Sequence, residues 1–341
     1  MDKNLNKRPF LQGKLCFLIL AAVLIIIPFF VRTFIQAVFI LIVFYAFCAT
    51  AWNFICGYSG EMSLGHAVYL GIGGYVSTIL LEQYNVTPWL GMLLGALIAT
   101  ALGVIIGLPT FRLSGPYFTL SSIAICQLIG TFVKNTEHLG TIRLAGGSGF
   151  SLTARGGDIA MYEFASKNGY YYLILGMLAI AIFLTWVMSR SKLGYYLVAI
   201  RSDSDAAQSL GINLTWPRIA AMAISCFMMA LGGTFYAQYF RYIGPDTVFH
   251  ENMSTQVALI ALVGGQGTVL GPLLGSVIVT PISQFLAAQF SGKVSGLNLL
   301  MYGIALMLVV FFMPKGVCEY IVRGVNRFEA WLFSGMKSKK K

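Results

Sequence analysis

Long apolar runs recur along the whole chain, and each run ends at polar or charged residues. A helix needs about 20 apolar residues to cross the hydrocarbon core of a bilayer. Ten runs approach that length. They are roughly 15–30, 34–55, 64–82, 89–109, 116–133, 170–189, 217–240, 253–266, 269–290 and 297–313. The pattern predicts an all-α membrane protein with about ten transmembrane helices in a single domain.

The run at 253–266 is too short to cross a bilayer as a straight helix. We expect this segment to be broken or re-entrant. Its free backbone groups must then face protein or a wet cavity, because lipid offers them no hydrogen-bond partner.

Composition agrees with a membrane protein. Apolar residues make up 57% of the chain and charged residues 10%, against about 25% charged in soluble domains. The net charge of +11 would suggest a nucleic-acid partner in a soluble protein. Here the basic residues cluster at the termini and between the apolar runs, so the membrane explains them and no nucleic acid is expected.

The positions of lysine and arginine predict the orientation of the spans. With the N-terminus inside, the inner segments hold most of the 23 basic residues, so both termini are expected to be cytoplasmic. The single domain, 1–341, then has four parts outside the membrane. These are a basic N-terminus (1–14), an outer loop (135–169), an inner loop (190–216) and a basic tail (315–341).

The inner loop carries the boundary signals of a short helix over 203–210. Ser202 is placed to accept a hydrogen bond from a first-turn amide, and Asp205 adds an acidic charge at the positive end of the helix dipole. Gly211 supplies the left-handed residue that ends it. A helix of about two turns is marginal alone in water, so it must pack against another surface. From physics alone it is either a surface connector or a docking element.

Asp205-Ala206-Ala207, followed by Gly211, resembles the cytoplasmic signature of ABC importer permeases. In that family the loop forms a coupling helix that sits in a groove of an ATPase subunit. The resemblance implies that Arg201 and Asp205 stabilise the loop, that Ala206 and Ala207 fit the groove, and that Gly211 permits the exit turn.

A wider resemblance covers most of the chain. The motifs that carry it are Gly57–Ala67, Leu113–Leu120, Ala199–Gly211 and Gly264–Pro272. In this order they look like the branched-chain amino-acid permease family of the LivM type. That family implies import of leucine, isoleucine, valine or a related small solute across the bacterial inner membrane. It also implies a second related permease, two ATPase subunits that bind the ATP, and an extracytoplasmic substrate-binding protein, with no cofactor in this chain.

Clustered glycines interrupt the apolar pattern once in each half of the chain, at 57–65 and at 264–272. Paired interruptions of this kind are typical of discontinuous helices that line a solute route. The alternative is close helix contact away from the solute. The route hypothesis selects six residues, which are Ser59, Ser63, Gly65, Gly264, Gly265 and Gly267.

Catalytic motifs are absent from the sequence. No Walker-type glycine loop, HExxH pair or G-x-S-x-G elbow is present, so we expect no enzyme activity in this chain. The alternative class is an ion-coupled secondary transporter or channel, which usually needs buried acidic groups that the spans lack away from their ends. Glu61 and His66 are the nearest ionisable pair, and they form either a hydrogen-bonded helix start or a proton relay.

Overall fold

The computed structural model describes residues 28, 33–113, 115–153, 159–164, 166–290, 300, 303, 304, 307 and 316–319. Helices dominate these residues. The helices are α1 (Thr33–Trp52), α2 (Ala67–Tyr84), α3 (Pro88–Thr110), α4 (Pro116–Asn135), α5 (Lys167–Arg190), α6 (Lys192–Ser202), α7 (Ser204–Ser209), α8 (Thr215–Phe240), α9 (Pro245–Val248), α10 (Glu251–Gly264) and α11 (Gly271–Phe290).

Irregular turns and two small strand pairs complete the described part. A π-helical turn, Asn53–Gly57, continues α1. Antiparallel strands β1 (His138–Leu139) and β2 (Ile142–Arg143) form a hairpin after α4. Strand β3 (Phe150–Ser151) pairs with β4 (Tyr242–Ile243), which ties the loop after α4 to the end of α8.

Six helices in the described part are long and apolar enough to cross a membrane, which confirms the all-α membrane class. They are Phe34–Gly57, Pro88–Thr110, Pro116–Asn135, Lys167–Arg190, Thr215–Phe240 and Gly271–Gln289. The predicted run 64–82 is α2, which is mostly buried within the protein and therefore tolerates glycine and polar residues. The predicted runs 15–30 and 297–313 lie almost wholly outside the described residues.

Small residues let α2, α3 and α8 pack with their backbones in contact. A methyl group on Gly233 would lie 1.8 Å from the carbonyl oxygen of Leu70, and one on Gly73 would lie 2.1 Å from that of Ala230. On α3, a methyl group on Gly95 would lie 2.9 Å from the carbonyl oxygen of Gly73. Only glycine permits these approaches. The three helices form the centre of the buried core.

Helix α10 starts beside the middle of α4. The thiol of Cys126, midway along α4, donates to the carbonyl oxygen of Phe249 at 3.1 Å. The side chain of Gln127 lies 3.3 Å from that of Glu251, the first residue of α10. With 14 residues, α10 is about 21 Å long, less than the hydrocarbon core of a bilayer. The predicted run 253–266 is thus one short continuous helix, Glu251–Gly264, in the structure.

Candidate functional site

The second glycine interruption packs against the π-helical turn that leads into the first, and we call the contact between residues 53–57 and 264–268 the glycine junction. Asn53 is fully buried at the centre of this junction. Its side-chain oxygen accepts from the backbone N–H of Gly267 at 2.8 Å, and its side-chain nitrogen donates to the carbonyl oxygen of Thr268 at 2.9 Å. The side chain of Asn53 therefore holds the turn 264–268 against the turn 53–57.

Two further side chains tie the same turns together. Gln266 donates from its side-chain nitrogen to the carbonyl oxygen of Cys56 at 2.7 Å. The guanidinium of Arg201, in the last turn of α6, donates to the carbonyl oxygen of Gly57. The inner loop is thereby connected directly to the glycine junction.

Glycine is required where Arg201 crosses the junction. A methyl group on Gly60 would lie 2.9 Å from Cγ of Arg201, and one on Gly267 would lie 2.7 Å from its Nη1. Both glycines also have left-handed backbones, with φ of 81° and 75°. Side chains at these positions would be strained and would displace the arginine.

A buried ion pair lies beside the glycine junction. Nη2 of Arg218, in the first turn of α8, lies 2.8 Å from Oε1 of Glu61, and the two side chains are 12% and 11% exposed. Burial raises the pKa of Glu61, and the Arg218 charge opposes that rise. The pair joins the turn after α1 to the start of α8.

His66 is held by hydrogen bonds at the start of α2. Its Nε2 lies 3.0 Å from the hydroxyl of Ser225, which itself donates to the carbonyl oxygen of Ala51 at 2.6 Å. The Ser225 oxygen must therefore accept from Nε2–H, and Nδ1 lies 2.9 Å from the hydroxyl of Ser63. An imidazole held at both nitrogens fits the hydrogen-bonded helix start rather than the proton relay.

The residues predicted to lie near a solute route occupy tight contacts in this conformation. Ser59 and Ser63 are 3% and 2% exposed. A methyl group on Gly65 would lie 2.5 Å from the carbonyl oxygen of Ser122, and one on Gly264 would lie 1.8 Å from that of Gly271. Gly265 and Gly267 belong to the junction itself. The geometry brings all six residues to one end of the protein.

Ser63 and Gly65 also border a small internal cavity. Its volume is about 10 Å³, and Thr110 and Ser122 add polar groups to its wall. That space holds on the order of one water molecule. An amino acid does not fit there unless the surrounding helices separate.

The inner loop holds two helices where the sequence indicates one. Helix α6 covers Lys192–Ser202, and α7 covers Ser204–Ser209. The prediction that Ser202 caps the short helix is wrong, because Ser202 stays in the last turn of α6 and donates to the carbonyl oxygen of Val198. Asp203 is extended and its carboxylate accepts from the amides of Asp205 and Ala206, both at 3.0 Å.

The far end of α7 follows the prediction. Gly211 has a left-handed φ of 83°. Its N–H donates to the carbonyl oxygen of Gln208 at 2.9 Å, and the N–H of Ile212 donates to that of Ala207 at 3.1 Å. Both ends of this two-turn helix are therefore capped.

The two alanines of the signature face opposite ways. Ala207 is 3% exposed and packs against this chain, so its methyl group does not face outward as the resemblance implies. Ala206 and Asp205 are exposed. Leu210, next to them, is 83% exposed, although it is apolar. Helix α7 thus presents a small surface with an apolar side chain at its edge.

Sequence reasoning missed three residues of this site: Asn53, Gln266 and Arg218. A lone asparagine in an apolar run is a weak signal, yet a polar side chain inside a membrane helix is costly and tends to have a partner. Gln266 lies between two glycines of the second interruption. Arg218 is the basic residue nearest the start of α8.

Comparisons with known proteins show which family the sequence matches. Residues 34–311 match the family described as the branched-chain amino acid transport system permease component. The chain is 24% identical over 283 residues to the high-affinity branched-chain amino acid transport system permease proteins LivM of Salmonella typhimurium and Escherichia coli. These matches cover 78% of this chain and 65% of each LivM protein, so the chain spans less than two thirds of their length.

A relative named for a different solute is also similar. The fructose import permease protein FrcC of Rhizobium meliloti is 25% identical over 289 residues, which cover 76% of this chain and 78% of FrcC. No solved structure matches the chain. The six apolar helices and the bacterial relatives make this a multi-pass protein of the inner membrane. By the match over 34–311, the chain belongs to the branched-chain amino acid transport permease family.

Proposed function

We propose that this chain is the permease subunit of an ABC importer that moves branched-chain amino acids or a related small solute. The observation that carries the proposal is the double-capped helix α7, exposed at its surface and joined through α6 and Arg201 to the glycine junction. In the proposed assembly, α7 transmits movement of the ATPase subunits into the membrane domain. The family membership supports the same function.

This chain works within a larger importer assembly. Two ATPase subunits bind the ATP, a second related permease completes the membrane part, and an extracytoplasmic binding protein delivers the solute. The chain has about ten spans, with 1–14 and 315–341 on the cytoplasmic side. Loop 135–169 then faces the binding protein, and loop 190–216 faces the ATPases.

Movement passes from α7 to the junction through one short path. Closure of the ATPase subunits on ATP displaces α7, and α6 carries that displacement to Arg201. The guanidinium then leaves the carbonyl oxygen of Gly57, and the two turns separate. Asp205, Ala206 and Leu210 contact the ATPase groove, whereas Ala207 anchors α7 to this chain and Gly211 permits the exit turn.

Separation of the turns opens the solute route beside the six residues that sequence analysis selected. Ser59, Ser63 and Gly65 then face Gly264, Gly265 and Gly267 across a widened passage. Cysteine substitution at Ser59 and Ser63 tests this proposal. Thiol labelling should rise with ATP cycling, and labelling that stays at background in every nucleotide state would exclude these residues from the route.

Leu210 allows a direct test of the docking surface. Because its side chain is 83% exposed, Leu210→Ser should leave the membrane fold intact. We expect co-purification of the ATPase subunits and solute uptake into proteoliposomes both to fall at least about tenfold, the effect of about 1.4 kcal/mol of lost contact. Leu139→Ser, 53% exposed in the β1–β2 hairpin of the outer loop, is the matched control and should leave co-purification of the ATPase subunits unchanged.

The ion-coupled alternative makes the opposite prediction. Proteoliposomes with this chain alone, under a proton or sodium gradient, should show no uphill solute uptake. Uptake under those conditions would overturn the importer proposal, as would a Leu210→Ser variant that binds ATPase subunits normally.

A further inference from the structure

A second polar site lies at the opposite end of α8 from the glycine junction. An open cavity of about 570 Å³ is bordered there by α1, α4, α8, α9 and α10, and we call it the vestibule. Its volume is within the range of about 300–1,000 Å³ that is common for small-molecule pockets. None of the residues that analysis of the sequence selected lies in it.

The vestibule reaches deep into the helices. Tyr45 borders it about 18 Å from the start of α1, since it is the thirteenth residue of that helix. Asn252 and Gln256, in the first two turns of α10, border it as well. Because α10 begins beside the middle of α4, these polar side chains lie about halfway along the helices.

Both signs of charge are present in the vestibule wall. Nζ of Lys134, at the end of α4, donates to both carboxylate oxygens of Asp246 at 2.9 and 3.0 Å. The side chains are 50% and 64% exposed, so water and solutes reach the pair. His250 borders the same space, and its Nδ1 already accepts from the N–H of Asn252.

We propose that the vestibule binds a zwitterionic α-amino acid. Its carboxylate replaces Asp246 at the Lys134 ammonium, and its ammonium replaces Lys134 at the Asp246 carboxylate. Asn252 and Gln256 supply neutral hydrogen-bond groups deeper in the cavity. The inference deepens the proposed function, because it assigns this solute class to a site in the permease itself.

The chemistry of the pair carries this assignment. An exposed ion pair contributes little to folding, so exchanging it for a ligand costs the protein little. A zwitterion restores both charge-assisted hydrogen bonds, whereas an uncharged sugar restores neither. A solute with one charge would leave the other member of the pair without its partner.

Protection of an introduced thiol tests the site without requiring ATP hydrolysis. Asn252→Cys in the assembly of permease and ATPase subunits, without the binding protein, would be labelled with a small thiol reagent, and the described native cysteines are all buried. L-leucine should slow the labelling in a saturable way. 4-Methylpentanoate, which lacks the ammonium, isopentylamine, which lacks the carboxylate, and fructose should not. Leu139→Cys, outside the vestibule, should be labelled at one rate in every solution.

Variants of the ion pair sharpen the test. Lys134→Met should raise the leucine concentration for half-protection about tenfold or more, through loss of one charge-assisted hydrogen bond. Arg143→Met, an exposed basic residue outside the vestibule, is the matched control. The exchange Lys134→Asp with Asp246→Lys rebuilds an ion pair in reverse. A pair with only a structural role would regain full protection, whereas a binding site of fixed orientation would not.

Each outcome decides the proposal. Protection by fructose or by a singly charged compound equal to that by leucine would overturn the zwitterion assignment, while ATPase binding and uptake of another solute would leave the importer function standing. No protection by leucine up to about 100 mM, far above a millimolar affinity, would overturn the site itself. Full recovery in the reversed pair would also overturn it.

Discussion

The two ends of α8 carry the same kinds of groups in opposite surroundings. Beside the glycine junction, Arg218 and Glu61 are 12% and 11% exposed, and side-chain hydrogen bonds join the two turns of the junction. At the vestibule, Lys134 and Asp246 are 50% and 64% exposed beside an open cavity. The difference in exposure separates the expected roles of the two ion pairs. We expect the buried pair, Arg218 and Glu61, to stabilise the fold. The exposed pair, Lys134 and Asp246, can exchange its partners for a ligand.

The largest loss of stability is expected from breaking the buried pair. Arg218→Met leaves the Glu61 carboxylate without its partner in a poorly solvated place, and removal of one member of such a pair costs about 3–5 kcal/mol. Equilibrium unfolding in mixed micelles measures the change. Arg218→Met with Glu61→Gln should recover part of the loss, because no unpaired charge then remains. A single variant as stable as the parent would show that water reaches Glu61.

The next largest effect is expected from Gly264→Ala. The added methyl group would lie 1.8 Å from the carbonyl oxygen of Gly271, so α10 and α11 must separate. Overpacking of this kind costs about 3 kcal/mol, the upper part of its usual range. Gly176→Ala on α5 is the matched control, since nothing lies within 4 Å of its added methyl group. Equal melting temperatures for the two variants would contradict the contact.

Asn53→Ala should cost about 2 kcal/mol, because the partly buried N–H of Gly267 and carbonyl oxygen of Thr268 both lose their partner. The variant also loosens the junction, so the buried thiol of Cys56 should react faster with a maleimide. Asn135→Ala, which removes only a bond to Thr131 within an exposed turn of α4, is the control. An unchanged thiol reactivity would argue against a locking role for Asn53.

The smallest effect on stability is expected at the vestibule. Asp246→Asn removes an exposed ion pair, which is worth less than about 1 kcal/mol. Unfolding in mixed micelles should barely change, and Glu137→Gln, an exposed acidic residue outside the vestibule, should behave in the same way. A loss close to that of Arg218→Met would remove the contrast between the two ends.

Apolar patterning predicts the membrane class and most of the helices, because lipid demands only length and hydrophobicity from a span. It does not predict contacts between the halves. The partner of Asn53 lies 214 residues away along the chain, and no local spacing marks that distance. The cap of α7 illustrates a smaller failure, since Ser202 and Asp203 are both good caps and the continuation of α6 decides between them.

The vestibule escaped sequence analysis for a related reason. Lys134, Asp246 and Gln256 come from three separate elements, and each alone has the ordinary features of a loop or helix-end residue. Only the start of α10 beside the middle of α4 brings them around one cavity. No local sequence pattern predicts that these residues surround a cavity.

The side-chain nitrogen of Asn53 donates a hydrogen bond and its oxygen accepts one across the glycine junction. Gln266 and Arg201 donate to the carbonyl oxygens of the same junction. Partial separation of the two turns would leave several of these partly buried polar atoms without a partner at once, each at a cost of up to about 3 kcal/mol. In the proposed mechanism the intermediate positions are therefore poorly populated, and this end of the protein switches between two states instead of opening by degrees.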